Sequence, residues 1–118
     1  MTYIYNHMVV GIDERLDVDR LFHALADATR RDIVSCVLQE EHSVSSLARR
    51  YPMSFAAVQK HVAVLEEVGL VTKERRGRER VVRGDIERVR AAQAALDQLE
   101  QVWRDRVARM DEILAEDP

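Results

Sequence analysis

The sequence of 118 residues has room for one domain, since a chain of this length buries roughly two thirds of its unfolded surface. Hydrophobic residues make up 47% and charged residues 33%, which is typical of a soluble globular protein and excludes a disordered one. The net charge of −3 argues only weakly against a nucleic-acid partner, because basic residues cluster between positions 73 and 90 while acidic residues dominate beyond position 97.

The sequence lacks an apolar run of about 18 residues and the pattern of a signal peptide, so we expect a cytoplasmic protein with no membrane partner. Its one cysteine, Cys36, cannot form an intrachain disulfide, in keeping with a reducing compartment. Residues 1–16 are expected to form an N-terminal extension. Residues 17–118 are expected to form a single domain.

Four helices are predicted in the first part of this domain, three of them preceded by a residue suited to N-capping. In chain order they are Val18 to Ala26, Ala28 to Gln39 after Asp27, Val44 to Arg50 after Ser43, and a helix after Ser54 that runs to about Val68. Apolar residues recur at helical spacing on one face of the first helix (Val18, Leu21, Phe22 and Leu25) and of the second (Ile33, Val34, Val37 and Leu38). In the third and fourth helices, Val44, Leu47, Ala48, Val58, Val62 and Leu65 are expected to be buried. A short helix, a tight connection and a longer capped helix predict a helix-turn-helix.

After Gly69, which suits the left-handed residue beyond a helix end, the hydrophobic period changes. Leu70 to Arg75 and Glu79 to Arg83 read as two strands around Arg76-Gly77-Arg78, where the glycine suits a hairpin turn. We therefore predict a two-stranded ribbon with an arginine-rich tip.

Asp85 is predicted to cap a last helix that continues to about Ala115, so that this helix covers about residues 85–115. Large apolar residues recur along it at near-heptad spacing: Leu96, Leu99, Trp103, Met110 and Leu114. This stripe is longer than a small domain needs internally, so it is a candidate subunit interface. The fold class predicted is mainly α with a small β-hairpin, a winged helix-turn-helix of order α-α-α-α-β-β-α.

Three strings place this sequence beside a known family: LFHALADATRRDIV, SVSSLARRYPMSFAAVQKHVAVLEEVGLV and KERRGRERVVRGD. In order and spacing they resemble the ArsR/SmtB family of winged-helix repressors, in a branch without the metal-sensing ligands. The sequence departs from the family pattern at Ala28, Ala56 and Gln59, which affects the operator rather than the fold. The resemblance implies a transcriptional repressor that binds double-stranded DNA at an imperfect inverted repeat and excludes RNA polymerase. It also implies a homodimer built from the first and last helices. Leu21 of the first helix is therefore expected at the subunit interface, together with the five residues of the apolar stripe.

The residues expected to meet DNA are Ser54, Phe55, Ala56, Gln59, Lys60 and His61 on the fourth helix, Arg76 and Arg78 in the wing, and Arg49 and Arg50 before the turn. Gln59 suits an adenine edge, Lys60 a guanine or a phosphate, and Ser54 a phosphate at the helix N-terminus. His61 has two open interpretations, a hydrogen bond within the domain or a contact with the DNA backbone.

Other functions have weaker support. In the family that this sequence resembles, one metal site needs cysteines in the stretch matching residues 42–46, and this stretch has none. The family's other metal site needs histidines on the last helix, and all four histidines precede that helix. Cys36 is expected to be a core residue, with a thiol sensor as the alternative. Neither an enzyme nor a bound cofactor is expected, because no catalytic motif is found. The remaining alternatives are a winged-helix module that binds protein and a sensor with an unrecognised ligand site.

Overall fold

The computed structural model describes residues 18–116, so the predicted N-terminal extension lies outside the described residues. The elements are α1 (18–25), α2 (Ala28–Gln39), β1 (His42–Ser43), α3 (Val44–Ala48), α4 (Phe55–Glu67), β2 (Val71–Arg76), β3 (Glu79–Gly84) and α5 (Ile86–Glu116). The predicted order of helices and wing strands is confirmed, with one added strand. The predicted third helix was too long, since α3 gives way to a turn after Ala48.

Side-chain caps begin three of the helices at the predicted residues. Asp27 Oδ1 accepts a hydrogen bond from the Arg30 backbone N–H at 3.0 Å, which satisfies an N–H that the first turn leaves free. Ser43 Oγ caps α3 and Ser54 Oγ caps α4 in the same way, each at 3.1 Å. The bond to the Arg30 N–H also holds the pKa of Asp27 below its usual value, because it stabilises the carboxylate.

The core lies between α1 to α4 and the inner face of the sheet. Val58, Val62 and Leu65 of α4 have no exposed surface, as predicted from their spacing. Leu38 lies on the predicted apolar face of α2 but is 38% exposed near the end of this helix, outside the core. It instead lies over the backbone of Gly84, where an added Cβ would be only 2.7 Å from Leu38 Cδ2.

The sheet has three antiparallel strands in the order β1-β3-β2. β2 and β3 form the predicted hairpin, in which Arg75 faces Arg80 and Arg76 faces Glu79. The prediction of a two-stranded ribbon was incomplete, because His42 and Ser43 pair with Val82 and Val81. A strand of two residues is too short for the alternation of polar and apolar residues to be recognised in the sequence. It is a strand because it pairs with β3.

The last helix, α5, has 31 residues and is therefore about 46 Å long. Ala92 is its only buried residue. Its exposed large apolar residues are Ile86, Leu96, Leu99, Val102, Trp103, Met110, Ile113 and Leu114. Among residues 18–116, therefore, no other element covers most of this helix. Within residues 18–116, no helix is both long and apolar enough to cross a membrane.

Candidate nucleic-acid interface

The connection between α3 and α4 is fastened to α2. The Tyr51 hydroxyl donates a hydrogen bond of 2.6 Å to Asp32 Oδ2, across 19 residues of sequence. Partial burial and the Asp32 carboxylate raise the pKa of Tyr51, so this hydroxyl stays protonated and remains a donor. The contact ties the turn that precedes α4 to α2.

The outward face of α4 consists of the residues that do not pack into the core. Ser54, Ala56, Gln59 and Lys60 are exposed, and Phe55 is 47% exposed. Ala56, Gln59 and Lys60 lie three or four positions apart, so they share one side of the helix. Within the described part of the chain, the Gln59 amide and the Lys60 ammonium have no hydrogen-bond or ion-pair partner. This side therefore offers donors and an acceptor of the kind that read base edges.

His61 lies on the other side of α4, half-buried against α2. Arg30 Nη1 is 3.4 Å from His61 Nδ1, within hydrogen-bond distance. Arg30 also donates to the carbonyls of Ala24 at 2.6 Å and His23 at 3.2 Å. The geometry therefore favours the within-domain interpretation of His61, as a contact between α4 and α2.

The wing turns at Gly77, whose φ of 61° is the left-handed conformation expected there. Arg78 is exposed beside it and forms no ion pair within residues 18–116. Arg76, which was also expected to meet DNA, is instead directed at Glu41, with both of its terminal nitrogens on the carboxylate. The two arginines that flank the turn thus have different surroundings.

Arg75 and Arg80 form a second basic feature of the wing, which the sequence prediction missed. They are directly opposite each other in the hairpin and both are exposed. Like charges directly opposite in a ladder are destabilising, and an anion between them would relieve the repulsion. Because strand residues alternate, this pair shares its face with Lys73, which is 3.7 Å from Glu66 of α4. The basic face of the wing is therefore the face turned toward α4.

The two arginines before the turn also differ. Arg49 is exposed. Arg50 lines a groove of about 380 Å³ with four residues of α2 and the segment that follows it, Cys36, Gln39, Glu40 and His42. Arg50 is therefore directed toward α2 rather than toward the outward face of α4.

Cys36 is 8% exposed and lies in the core cluster, although it also lines this groove. No cluster of three or more His, Cys, Asp and Glu side chains able to hold a metal ion occurs in residues 18–116.

The residues expected at the subunit interface separate into two groups. Leu21 is 1% exposed in the single chain and has no surface left for a partner, so its assignment to the interface is corrected to the core. The five residues of the α5 stripe are between 51% and 69% exposed: Leu96, Leu99, Trp103, Met110 and Leu114. They remain candidates for contact with a second chain.

A capped helix with an outward polar side, a short helix packed before it and an adjoining basic hairpin define a winged helix-turn-helix DNA-binding domain. Comparison with known proteins agrees. Residues 25–74 match the family model described as a helix-turn-helix domain. Over 79 residues, the chain is 39% identical to the HTH-type transcriptional regulator Rv2034 of Mycobacterium tuberculosis, covering 67% of this chain and 74% of that protein.

Solved structures show the same relationship. An ArsR-like transcriptional regulator from Rhodococcus sp. RHA1 is 31% identical with a TM-score of 0.73, over 84% of this chain and 93% of that one. The homodimeric winged helix-turn-helix DNA-binding domain Mb0332 of Mycobacterium bovis, a possible ArsR-family regulator, is 26% identical with a TM-score of 0.61, over 82% and 83% of the two chains. This chain belongs to the ArsR family of winged helix-turn-helix transcriptional regulators.

Proposed function

We propose that this regulator is a homodimeric repressor that places α4 of each subunit in the major groove of an inverted-repeat operator. The observation that carries the proposal is the outward side of α4, where Gln59 and Lys60 are exposed and without protein partners. A repressor of this kind acts by occupying DNA that RNA polymerase needs. Its specificity would come from the side chains on α4 and its register from phosphate contacts around them.

Each residue of α4 has a role that follows from its chemistry. Gln59 pairs with an adenine edge through its amide, and Lys60 with a guanine or a phosphate. Ser54 and the N-terminus of α4 suit a phosphate, because the first N–H groups of the helix carry partial positive charge. Ala56 and Phe55 offer apolar contact to a thymine methyl group.

In the wing, Arg78 and the Arg75–Arg80 pair supply the phosphate contacts or enter the minor groove beside them. Arg49 supplies a further phosphate contact before α4. Arg76 and His61 are left out of the proposed contacts because each contacts a protein side chain, and Arg50 is left out because it lines the groove beside α2.

The dimer is proposed to form through α5. The stripe from Leu96 to Leu114 spans 19 residues, so about 27 Å of helix would be covered by the partner subunit. Exposed apolar patches of this extent are typical of interaction surfaces. The homodimeric state of the Mb0332 domain supports this arrangement. Two α4 helices related by a dimer axis would meet half-sites about one helical turn apart.

One observation favours a different function. Phe55 is 47% exposed at the start of α4, and an exposed aromatic residue is also a typical anchor for a protein partner. Selection of genomic DNA fragments by the purified protein, followed by footprinting, separates the two. Recovery of one protected inverted repeat supports the repressor, whereas the absence of any preferred fragment supports a protein-binding module.

A further inference from the structure

The wing projects beyond the core, and a two-stranded ribbon has little stability of its own in water. From Glu74 to Arg80 every wing residue is exposed. The position of the tip relative to α4 therefore depends on contacts near the base of the hairpin.

Four charged side chains form a closed ring along the hairpin, from Arg83 near its base to Arg76 beside the turn, on the face opposite the Arg75–Arg80 pair. Glu41 binds both terminal nitrogens of Arg76, with Oε2 at 3.2 Å from Nη2, and its Oε2 is 3.8 Å from Arg83 Nε. Glu74 completes the ring, with Oε2 at 3.2 Å from Arg83 Nη2 and 3.6 Å from Arg76 Nη2. Two positive and two negative charges cancel, so the ring adds no net charge to the wing.

Glu41 is the only member of the ring outside the hairpin. It immediately precedes β1, and continuing the β1–β3 register by one residue places it opposite Arg83. It is separated from Arg76 by 35 residues of sequence. The pair therefore joins the end of α2 to the outer half of β2.

The face that carries the ring also carries Val81, which pairs with Glu74 across the hairpin. Val81 is 8% exposed, yet it is not part of the main core cluster. The apolar stems of long charged side chains cover such positions while their charged ends stay in water. The position of Val81 on the central strand, between Glu74 and Ser43, places it beneath the same face as the ring.

Single exposed ion pairs contribute little, and these side chains are 38% to 54% exposed. Two features distinguish the ring, namely a fork-shaped contact through both oxygens and a network of four charges. The Arg76 guanidinium also holds the pKa of Glu41 below its usual value, so the carboxylate is ionised at neutral pH.

We propose that Glu41 is a positioning residue for DNA binding, which holds Arg76 and thereby fixes the angle between the wing and α4. The inference rests on the proposed function, in which the basic face of the wing meets DNA. Arg76 on this account stabilises the wing and does not contact phosphate itself.

The proposal reverses the effect expected from charge alone. Removing a carboxylate near DNA ordinarily strengthens binding, since phosphates are repelled less. If Glu41 positions the wing, Glu41→Gln weakens operator binding by about three- to tenfold for a dimer with two wings. Glu79→Gln is the matched control, because Glu79 faces Arg76 across the hairpin but forms no ion pair with it within residues 18–116. It removes the same charge from the same face of the wing without breaking the ring, and it leaves affinity equal or higher.

A double-mutant cycle separates positioning from direct contact. Arg76→Gln alone should weaken operator binding without lowering the salt dependence, and adding it to Glu41→Gln should change little further. A direct phosphate contact by Arg76 would instead lower the salt slope by about two per dimer, with or without Glu41. That result, or stronger binding by Glu41→Gln, would overturn the proposal.

Amide hydrogen exchange of the free protein keeps this test independent of DNA binding. Glu41→Gln should speed amide exchange in β2 and β3 near Arg76 and leave exchange in α4 unchanged. Glu79→Gln should change exchange neither in the wing strands nor in α4. Unchanged exchange in the wing refutes the positioning role even if the wild-type protein binds its operator. Faster exchange in the wing of Glu41→Gln, in a protein that selects no DNA, would support the role of Glu41 in holding Arg76 and would reject the proposed function.

Discussion

Replacing Leu99 with glutamate is expected to separate the proposed dimer. Leu99 is 68% exposed in the single chain and lies within the α5 stripe, between Leu96 and Trp103. A partner helix would cover it, and a glutamate there would be buried without a partner for its charge. The variant should therefore be monomeric at concentrations where the wild-type protein is dimeric.

The size of the effect follows from the area that is available. Complete burial of a leucine side chain is worth about 1.5 to 3 kcal/mol, so covering two thirds of it is worth roughly 1 to 2 kcal/mol. A symmetric dimer loses two such contacts, or about 2 to 4 kcal/mol, which raises the dissociation constant roughly 30- to 1000-fold. The unpaired buried charges add to this loss.

Sedimentation equilibrium over a range of concentrations measures the dissociation constant. Gln98→Glu is the matched control, since it adds the same charge one residue away, about 100° around the helix, at a polar exposed position. Circular dichroism tests whether both variants remain helical. A wild-type protein that is monomeric at micromolar concentration, or a Leu99→Glu variant that dimerises like Gln98→Glu, would refute the assignment of α5.

Gln59→Ala should weaken operator binding by about 1 to 3 kcal/mol and relax the preference at one base pair per half-site, leaving nonspecific DNA unaffected in binding isotherms. Arg78→Ala should weaken binding to all DNA alike and lower the salt slope by about two for a dimer; an unchanged slope would show that Arg78 does not meet phosphate. The pKa of Asp27 is lower in the folded protein than its value of 3.8 in the unfolded chain, so the ionised carboxylate stabilises the fold at pH values above 3.8. This contribution disappears as the pH falls through the lower pKa of the folded protein. Asp27→Asn keeps an N-capping oxygen, so its denaturation midpoint should depend less on pH below about 4 than that of the wild type. Zinc, cadmium and arsenite should not release the protein from its operator, and release at one metal per subunit in a titration would contradict the assignment to a branch without metal ligands.

Much of the fold could be predicted because its signals are local. Asp27, Ser43 and Ser54 each begin a helix by bonding to an N–H three residues ahead, so the sequence around each cap contains all the partners. Gly69 and Gly77 likewise adopt the positive φ that their positions at a helix end and a turn suggested.

The features that the sequence did not predict depend on distant partners. β1 has two residues and exists because it pairs with β3, about 40 residues later. Leu38 has the spacing of the apolar face of α2, but it packs over Gly84 of β3 and stays 38% exposed. Leu21 was assigned to the interface by resemblance, whereas its burial depends on how the other helices pack around it.

The wing shows the same division within one element. Its turn was predicted, and the register that follows from Gly77 already places Arg75 opposite Arg80, so this pair could have been found from the sequence. The contact between Arg76 and Glu41 could not, because 35 residues separate the two. An arginine beside a turn is equally suited to a phosphate and to a carboxylate, and only the tertiary structure distinguishes these roles.

The most direct test of the central claim is the stoichiometry and footprint of the complex with a DNA fragment selected from the genome. We expect two chains per operator, bound to two half-sites whose centres are about 10 base pairs, or a multiple of one helical turn, apart. We also expect Gln59→Ala to reduce protection of both half-sites equally. One chain per fragment, or protection without sequence preference, would contradict the assignment of α4 and α5 to a dimeric DNA-binding protein.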